Sequence, residues 1–340
     1  MDLHANIPLK KYTTMRLGGN AKYMTDLHSA NEIQNIILQA NQLNLPIFII
    51  GGGSNVVVQD KGYDGIVLRN MIMGFETVAE DDSSVSFKIG AGENWDSVVK
   101  TTVEKNLSGI EAMSAIPGTM GAAPVQNIGA YGQELVDTFV SLEAYDLNEG
   151  IFVNLNSDDC QFSYRDSIFR SSQKGRYIIT SVILKLFKSA PVQPFYSAVQ
   201  KYFDDHNINI FTPSTIRQAV IDIRTDKLPD PAIYPNSGSF FKNSIIEDWQ
   251  LNDLQSQFSD IPRYDLGNNK YKIPSGWLIE QAGFKGQLIN GMRIHDKNTL
   301  VLINESASSY HDLELTRDEI IRKVRDIFRI EIDQEPIEMP

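Results

Sequence analysis

The chain reads Gly109-Ile-Glu-Ala-Met-Ser-Ala-Ile-Pro-Gly-Thr-Met-Gly-Ala-Ala-Pro-Val-Gln-Asn-Ile-Gly-Ala-Tyr-Gly132 before its midpoint. This glycine segment (109–132) holds five glycines and two prolines, and it carries almost no charge. Glycine lets the backbone approach a ligand closely and adopt positive φ, whereas proline stiffens the path. We interpret the segment as a backbone surface for a large flat ligand, with N–H groups directed at phosphate. An ordinary glycine-rich turn between two elements is the alternative interpretation.

A second glycine loop, Gly51-Gly-Gly-Ser-Asn55, follows the short apolar stretch Ile47–Ile50. The β-branched run Val56–Val58 comes directly after it and favours a strand. No Lys-Ser/Thr pair follows the glycines and the pattern G-x-G-x-x-G is absent, which excludes a P-loop and a dinucleotide fingerprint. The loop therefore predicts either a strand–loop–strand cradle of N–H groups around a pyrophosphate or the tip of a hairpin.

A third motif, which we call the serine motif, reads Asn236-Ser-Gly-Ser-Phe-Phe-Lys-Asn243. Gly238 permits a sharp turn that presents the hydroxyl of Ser239. The alternative is a turn that leads into strand residues Phe240 and Phe241.

Composition narrows the class of protein. The chain has 340 residues, of which 42% are hydrophobic, so two or three folded domains are expected. Its net charge of −12 argues against a nucleic-acid surface or an anionic membrane as partner. A small anionic ligand stays possible if basic residues cluster locally, and four stand in or near the motifs: Arg165, Arg224, Lys227 and Lys242.

Reactive and metal-binding side chains are sparse. Cys160 is the single cysteine, so no intrachain disulfide can form, and the five histidines lie far apart in the sequence. We expect no metal site. No apolar run approaches the roughly 18 residues of a membrane span, and the N-terminus lacks a signal-peptide pattern, which predicts a soluble cytoplasmic protein.

Hydrophobic periodicity predicts a mixture of helices and strands. Ser29 is a candidate helix N-cap, and helices are also expected from Trp95 to Val103 and from Asp312 to Phe328. The remaining predicted elements are a hairpin over Phe139–Leu147 and Ile151–Leu155, a strand over Tyr177–Phe187, helices that start near Tyr196 and Ser214, and a final strand that starts at Ile330 and Ile332.

Taken together with Tyr164-Arg-Asp-Ser167, Lys227-Leu-Pro-Asp230 and Gly276-Trp-Leu-Ile-Glu-Gln281, the three motifs closely resemble the UDP-N-acetylenolpyruvoylglucosamine reductase (MurB) family. The match is colinear over nearly the whole chain. The resemblance implies an α+β fold, with a two-lobed FAD-binding domain of the PCMH/vanillyl-alcohol-oxidase type and a C-terminal α/β substrate-binding domain. The implied boundaries are 1–66 for the first lobe, to which a tail of 330–340 returns, 67–212 for the second lobe and 213–329 for the substrate-binding domain.

The resemblance also implies an activity in peptidoglycan precursor synthesis. NADPH would reduce FAD, and flavin N5 would then pass hydride to UDP-N-acetylglucosamine enolpyruvate, giving UDP-N-acetylmuramate. FAD is expected to be noncovalent, because no histidine lies near either glycine motif. The implied partners are this substrate and NADPH, with no nucleic acid, no membrane insertion and a monomeric state.

Residue roles follow from the same resemblance. Ser239 would donate the proton to the substrate, while Arg165 and Glu335 would stabilise the enolate. Glu338 competes with Glu335 for the last role, and strand alternation from Ile330 favours Glu335. The residues expected to bind FAD are Gly51, Gly52, Gly53, Ser54, Asn55, Pro117, Gly118, Thr119, Gly121, Ala122, Gln126, Asn127, Gly129 and Arg224, and those expected to bind substrate are Tyr131, Tyr196, Lys227 and Asn243.

Several alternatives stay open. For Arg165 the alternative is a structural salt bridge to Asp166, and for Tyr196 it is an aromatic side chain packed at a helix start. At the level of the whole protein, the alternatives are another FAD-dependent oxidoreductase of the same fold, such as a sugar oxidase, or a non-catalytic sugar-nucleotide-binding paralogue.

Overall fold

The computed structural model of this chain describes residues 2–339, which divide into two compact units. Each unit is assembled from three separate stretches of the chain. Unit 1 contains residues 2–7, 21–53 and 64–226, and unit 2 contains residues 8–20, 54–63 and 227–339.

The helices are α1 (Ile33–Leu43), α2 (Trp95–Glu104), α3 (Ser157–Cys160), α4 (Ser197–Asp205), α5 (Pro213–Lys227), α6 (Asp248–Gln257), α7 (Ser275–Gln281) and α8 (Tyr310–Phe328). The strands are β1 (His4–Pro8), β2 (Asn20–Leu27), β3 (Ile47–Ile50), β4 (Val56–Val58), β5 (Tyr63–Asn70), β6 (Phe75–Glu80), β7 (Ser84–Gly90), β8 (Gly129–Ala130), β9 (Gln133–Glu134), β10 (Phe139–Asp146), β11 (Ile151–Asn156), β12 (Tyr177–Phe187), β13 (Ser244–Glu247), β14 (Tyr264–Asp265), β15 (Lys270–Ile273), β16 (Leu288–Ile289), β17 (Met292–Ile294), β18 (Leu302–Asn304) and β19 (Ile337–Met339).

Unit 1 contains two main sheets. One has four strands in the order β1-β2-β5-β3, in which β3 and β5 run parallel, and the other has five antiparallel strands in the order β11-β10-β12-β7-β6. Strand β7 buries Phe87 and Ile89 at alternate positions, as expected where every second side chain faces a core. These side chains share their core with Trp95 and Val99 of α2, so the start of α2 is anchored on the five-stranded sheet.

Helix starts follow local capping chemistry. Ser29 and Glu32 form a capping box ahead of α1, and Asn94 accepts a hydrogen bond from the Ser97 amide at the start of α2. A capping box of Ser309 and Asp312 begins α8 in the same way. Each cap supplies a partner for an N–H group that the first helical turn leaves unsatisfied.

Unit 2 is built from short strands around one apolar core. Its three-stranded sheets have the orders β13-β15-β14 and β16-β17-β18, and β19 pairs with β4 in parallel. The core joins Met15, Leu17 and Val57 to α8 and to Phe240 and Phe241. The N-terminal and C-terminal parts of the chain therefore share this core.

The structure corrects one sequence prediction and two alternative interpretations of local structure. Residues Ile330 and Ile332 do not begin a strand, and the last strand is Ile337–Met339. The loop after β3 is not a hairpin tip, because β3 pairs with β5 and β4 pairs with β19. Phe241 makes only an isolated bridge, to Gln334, and Phe240 donates its N–H to Leu300, so this pair does not extend into a strand.

The other predicted elements are confirmed within a few residues. Helices α1, α2, α4, α5 and α8, the hairpin of β10 and β11, and strand β12 lie where hydrophobic periodicity placed them. The three-part domain division stays a prediction. The chain passes from unit 1 to unit 2 for the last time after Asp226.

Candidate functional site

The two glycine motifs approach each other closely in unit 1. A Cβ atom on Gly51 would lie 2.3 Å from the Thr119 Oγ1, and one on Gly52 would lie 3.2 Å from the Gly118 Cα. A Cβ on Gly121 would lie 2.6 Å from the Ala91 Cβ. A side chain at Gly51 or Gly121 would therefore collide with its neighbours, and one at Gly52 would be closer than ordinary van der Waals contact.

Thr119 carries the unsatisfied group of this contact. Its hydroxyl is buried and has no hydrogen-bond partner within residues 2–339. Buried hydroxyls without partners are rare in folded proteins and ask for an explanation, such as a bound ligand. A backbone surface lined by glycine, with one unpartnered hydroxyl beside it, fits the phosphate-bearing ligand expected from the sequence.

The remaining residues of the glycine loop fall on the other side of the unit boundary. Ser54 and Asn55 belong to unit 2, where the Asn55 carbonyl accepts a hydrogen bond from the Ile337 amide at 2.9 Å. Asn55 thus helps to begin the pairing of β4 with β19.

Asn127 holds the end of the glycine segment. It is buried, lies at φ +44°, and its Oδ1 accepts the Val136 amide at 3.1 Å. Its Nδ2 donates to the Glu134 carboxylate at 2.8 Å. The neighbouring Gln126 accepts a hydrogen bond from Arg170 at 3.2 Å. The side chains of this amide pair therefore make contacts within the protein, and flavin contact by either residue stays a prediction.

Arg165 stands in a tight turn in unit 1. The amides and carbonyls of Ser163 and Asp166 pair with each other, and Arg165 adopts φ +55° between them. Its Nη2 donates to the Gly129 carbonyl at 2.6 Å. The backbone strain that this φ stores in a non-glycine residue often marks functional sites. The turn brings the guanidinium against the glycine segment, in which Gly129 was expected to line the flavin.

Tyr131, Arg224 and Tyr196 form one cluster. The Arg224 guanidinium donates to the Tyr131 hydroxyl, and the rings of Tyr131 and Tyr196 meet edge to face with their centroids 5.7 Å apart. Burial raises the pKa of Tyr131, although the Arg224 charge opposes the shift. Burial also lowers the pKa of Arg224. Arg224, expected to bind FAD, thus holds a residue that was expected to bind substrate.

A cavity of about 290 Å³ lies beside this cluster within unit 1. Its wall includes Glu111 and Tyr131 of the glycine segment, Gln133 just after the segment, and the loop that leads to Tyr196. Glu111 is buried. Burial raises the pKa of Glu111. The volume is close to the lower limit of small-molecule sites.

Ser239 and Glu335 lie on neighbouring backbone segments in unit 2. The Lys242 amide donates to the Asp333 carbonyl at 2.9 Å, and the Glu335 amide donates to the Phe240 carbonyl at 2.8 Å. Gly238, at φ +73°, provides the sharp turn that was expected before Ser239. Glu335 is therefore fixed beside the serine motif by main-chain pairing, although strand alternation, the original reason for preferring it, does not apply.

Glu338, the competing carboxylate, makes contacts of another kind. It accepts hydrogen bonds from Gln59 at 2.5 Å and from Arg317 at 3.5 Å. Tyr310 belongs to the same cluster, and burial together with the Glu338 hydrogen bond raises its pKa. Glu338 thus fixes α8 to the end of the chain.

Two expected substrate residues also lie in unit 2. Lys227 is exposed at the end of α5, and the Asn243 Oδ1 accepts the Ser275 amide at 3.1 Å at the start of α7. Among residues 2–339, no group of three or more His, Cys, Asp or Glu side chains has the arrangement of a metal site. No helix in that range is long and apolar enough to cross a membrane.

Sequence reasoning missed residues that support the motifs. Asn236 is buried, donates to the Tyr234 carbonyl and accepts the Gly238 amide at 2.8 Å, so it shapes the turn before Ser239. Its position two residues before a glycine was a signal for such an Asx turn. Asp96 and Arg217 form a bidentate ion pair that no local pattern indicates, because 121 residues separate them.

Two protein families match this chain. The FAD binding domain family matches residues 21–156, and the C-terminal domain family of UDP-N-acetylenolpyruvoylglucosamine reductase matches residues 230–339. The protein is therefore a flavoprotein that combines an FAD binding domain with a C-terminal domain found in this reductase. The chain is 41% identical over 304 residues to UDP-N-acetylenolpyruvoylglucosamine reductase of Amoebophilus asiaticus, which covers 89% of both chains. It belongs to the UDP-N-acetylenolpyruvoylglucosamine reductase family.

Other relatives agree with this assignment. The enzyme of the same name from Flavobacterium johnsoniae is 38% identical over 336 residues, which is 98% of this chain and 99% of the relative. The crystal structure of UDP-N-acetylenolpyruvylglucosamine reductase from Thermus caldophilus superposes with a TM-score of 0.69 at 21% identity, covering 100% of both chains, and supports the fold. The resemblance and the α+β fold class predicted from the motifs are confirmed.

Proposed function

We propose that this protein reduces UDP-N-acetylglucosamine enolpyruvate to UDP-N-acetylmuramate with NADPH, through noncovalently bound FAD, in peptidoglycan precursor synthesis. The 41% identity to a reductase of this name over 89% of the chain carries the proposal. An acidic protein can bind such anions if its cations are local, as Arg165 beside the glycine segment illustrates.

The two glycine motifs would hold FAD. The close approach of Gly51 and Gly52 to residues 118–119, with the unpartnered Thr119 hydroxyl between them, fits a pyrophosphate that accepts N–H and O–H donors. When bound, FAD supplies the two-electron chemistry that links NADPH to the enolpyruvyl double bond. The buried Cys160 is unsuited to tethering a flavin.

Ser239 would protonate the substrate after hydride has added to its β-carbon. The negative charge left by that addition is delocalised between the α-carbon and the carboxylate, so a proton must reach the α-carbon. A serine hydroxyl is a weak acid, which demands accurate placement. The turn that Gly238 and Asn236 fix in front of Ser239 supports this role.

Arg165 would stabilise the charge on the substrate carboxylate. A planar guanidinium binds a carboxylate through two parallel hydrogen bonds, which suits charge that develops during the reaction. Glu335 would act with Ser239 as the third catalytic group, since its main chain is paired with the serine motif. Tyr196, Lys227 and Asn243 would contact the nucleotide end of the substrate.

The decisive experiment is one anaerobic absorption titration. Purified protein should show the flavin bands, lose them on addition of NADPH, and regain them on addition of UDP-N-acetylglucosamine enolpyruvate. Protein that bleaches with NADPH but ignores this substrate would be another FAD-dependent oxidoreductase of the same fold. Protein that cannot be loaded with FAD would be the non-catalytic paralogue.

A monomeric state and a cytoplasmic location form part of the same proposal. The chain has a mass of 38.2 kDa, and light scattering of the purified FAD-loaded protein should return a value near that mass. A mass near twice that value would contradict the monomer.

A further inference from the structure

The Asp96 carboxylate accepts three hydrogen bonds at the start of α2. Its Oδ1 accepts the Ala115 amide and the Arg217 Nη1, both at 2.6 Å, and its Oδ2 accepts the Arg217 Nη2 at 2.9 Å. The Arg217 side chain is 13% exposed and that of Asp96 is 34% exposed. This is the bidentate geometry that gives charge-assisted pairs their strength and their directional specificity.

The residue held by Asp96 is conformationally strained. Ala115 lies at φ +59°, a left-handed conformation that residues with a Cβ rarely adopt. It precedes Pro117 and Gly118, and the Gly118 backbone passes within contact distance of Gly52. The hydrogen bond from Ala115 to Asp96 therefore fixes a corner of the glycine segment just before its closest approach to the other glycine motif.

The first turn of α2 makes two further bonds to the same segment. The Trp95 amide donates to the Gly118 carbonyl at 3.1 Å, and the Trp95 Nε1 donates to the Met113 carbonyl at 2.9 Å. These contacts place Ala115 between two points that α2 already holds. Asp96 supplies the third attachment, and it is the one that depends on a partner in another helix.

That partner helix, α5, reaches the glycine segment a second time. Arg224 follows Arg217 by seven residues, or about two helical turns, so both side chains lie on one face of α5. Arg217 binds Asp96, while Arg224 binds Tyr131 near the end of the segment. The two arginines together connect α5 to both halves of the segment.

We propose that Asp96, oriented by Arg217, is a positioning residue of the FAD site, which sets the path of residues 115–118 through its bond to the Ala115 amide. This inference rests on the proposed function, because it takes FAD as the ligand. It assigns no contact with FAD to Asp96 itself. FAD affinity should depend on the acceptor at position 96, and fold stability should depend on the ion pair.

Three variants separate these dependences. Asp96→Ala removes both the acceptor and the ion pair. Asp96→Asn keeps an amide oxygen for the Ala115 N–H and loses the charged pair, and Arg217→Met leaves the Asp96 acceptor intact. For each variant, FAD affinity is measured by flavin fluorescence, the flavin environment by visible circular dichroism, and fold stability by thermal unfolding of the FAD-free protein.

We expect Asp96→Ala to weaken FAD binding by about 10- to 100-fold, because the loss of a hydrogen bond to a charged group changes a binding constant by about this factor. The circular dichroism of the bound flavin should also change. Asp96→Asn and Arg217→Met should weaken FAD binding measurably but by less than about tenfold, because the first replaces a charged acceptor by a neutral one and the second removes the group that orients the carboxylate. All three should unfold at lower temperature.

Asp146 offers a matched control in the same unit. Its carboxylate binds Arg176 in bidentate fashion, with the closest contact at 2.6 Å, and accepts the Asn148 amide at 2.9 Å. Asp146→Ala and Asp146→Asn should lower stability in the same manner and leave FAD affinity unchanged.

Several outcomes would overturn the inference. One is wild-type FAD affinity in a folded Asp96→Ala variant. Another is an equal loss of affinity in Asp146→Ala, which would point to general destabilisation. If Asp96→Ala fails to fold, identical affinity and flavin spectra for Asp96→Asn, Arg217→Met and the wild type would decide against it. Wild-type protein that takes up no FAD would instead contradict the proposed function, and this inference with it.

Discussion

At the scale of single residues, the two carboxylates Glu335 and Glu338 have different surroundings. Glu335 is joined to the serine motif through its main chain, whereas Glu338 lies among Gln59, Arg317 and Tyr310. The second set of contacts is that of a structural polar cluster. We therefore expect substitutions at the two positions to affect different properties.

Glu335→Gln should lower turnover by at least about 100-fold with little change in thermal stability, because it would remove a group that acts on the developing charge. Glu338→Gln should keep most of the turnover and lose about 1 kcal/mol of unfolding free energy, since it weakens partly exposed contacts. Steady-state kinetics and urea unfolding measure both effects. The reverse pattern would reassign the catalytic carboxylate to Glu338.

Ser239→Ala should still bind FAD and be reduced by NADPH at the wild-type rate, but reoxidation by the enolpyruvyl substrate should slow by about 100-fold or more, because proton donation contributes at this level. Stopped-flow absorption separates the two half-reactions. Ser237→Ala is the matched control, since the buried Ser237 hydroxyl has no hydrogen-bond partner within residues 2–339. A rapid second half-reaction in Ser239→Ala would remove Ser239 as the proton donor.

Cys160 should resist thiol reagents in the folded protein. Burial raises the pKa of its thiol to about 12, and the Asp159 charge acts in the same direction. A raised pKa favours the neutral thiol, so at pH 8 the reactive thiolate is present at roughly one part in 10⁴, against about a quarter for an ordinary cysteine. Labelling with a chromogenic disulfide should be complete only in denaturant, and rapid labelling of the native protein would contradict the buried position.

The residues that sequence alone could identify are those with a local signal. Ser239 follows a glycine in a recognisable motif. The composition of the two glycine motifs indicates that their backbones approach another group closely. Asp96 and Arg217 look like ordinary helix charges, and only the fold brings them together across 121 residues. The same limit applies to Arg224, which lies outside the motifs and meets Tyr131 of the glycine segment only in the fold.

At the scale of elements, the glycine segment is a path of short turns supported by regular structure. Two 3₁₀ turns, Glu111–Met113 and Met120–Gln126, lie within it, and α2 and β7 adjoin it. Its shape is imposed by contacts on both sides. A side-chain atom added at a glycine of the segment should therefore weaken ligand binding.

Gly121→Ala tests this dependence. The new Cβ would lie 2.6 Å from the Ala91 Cβ and 3.1 Å from the Ala91 backbone, so the segment must move. We expect a loss of about 1–3 kcal/mol in unfolding free energy, as for other overpacked sites, together with weaker FAD binding. Gly276→Ala in α7 is the control, because its new Cβ would meet side-chain atoms at 3.3 Å or more. Equal FAD affinity in both variants would contradict the tight approach.

Element boundaries were predictable where periodicity and caps coincide. Ser29 and the apolar spacing after it predict α1, and the alternation around Phe87 predicts β7. The final strand was misplaced because Ile330 and Ile332 alternate as strand residues do, yet both enter the core of unit 2 from irregular backbone. Burial at alternate positions does not by itself supply a pairing partner.

At the scale of the whole molecule, neither compact unit is a continuous piece of chain. Unit 2 draws Met15, Leu17 and Val57 into its core, each at most 4% exposed. Its strand β19 pairs with β4, which lies early in the sequence. The resemblance implied a return of residues 330–340 to the first lobe, but hydrophobic periodicity does not indicate it, because periodicity reports only neighbours along the chain.

An isolated fragment of residues 227–340 should therefore fail to fold. It lacks three buried core side chains and the partner of β19, and each buried apolar side chain contributes about 1.5–3 kcal/mol. Circular dichroism and thermal scans of the fragment should show no cooperative transition, with the full-length protein as the control. A sharp transition in the fragment would show that residues 8–20 and 54–63 are dispensable for this unit.

The pairing of β4 with β19 also sets the order in which the fold can form during translation. On the ribosome, β4 emerges about 280 residues ahead of its partner, a delay on the order of tens of seconds at ordinary rates of translation. For that interval β4 lacks its pairing strand, and an unpaired strand edge can pair with another chain. A polypeptide that terminates before residue 337 lacks β19 altogether. The pairing of β4 therefore cannot form until residues 337–339 have left the ribosome.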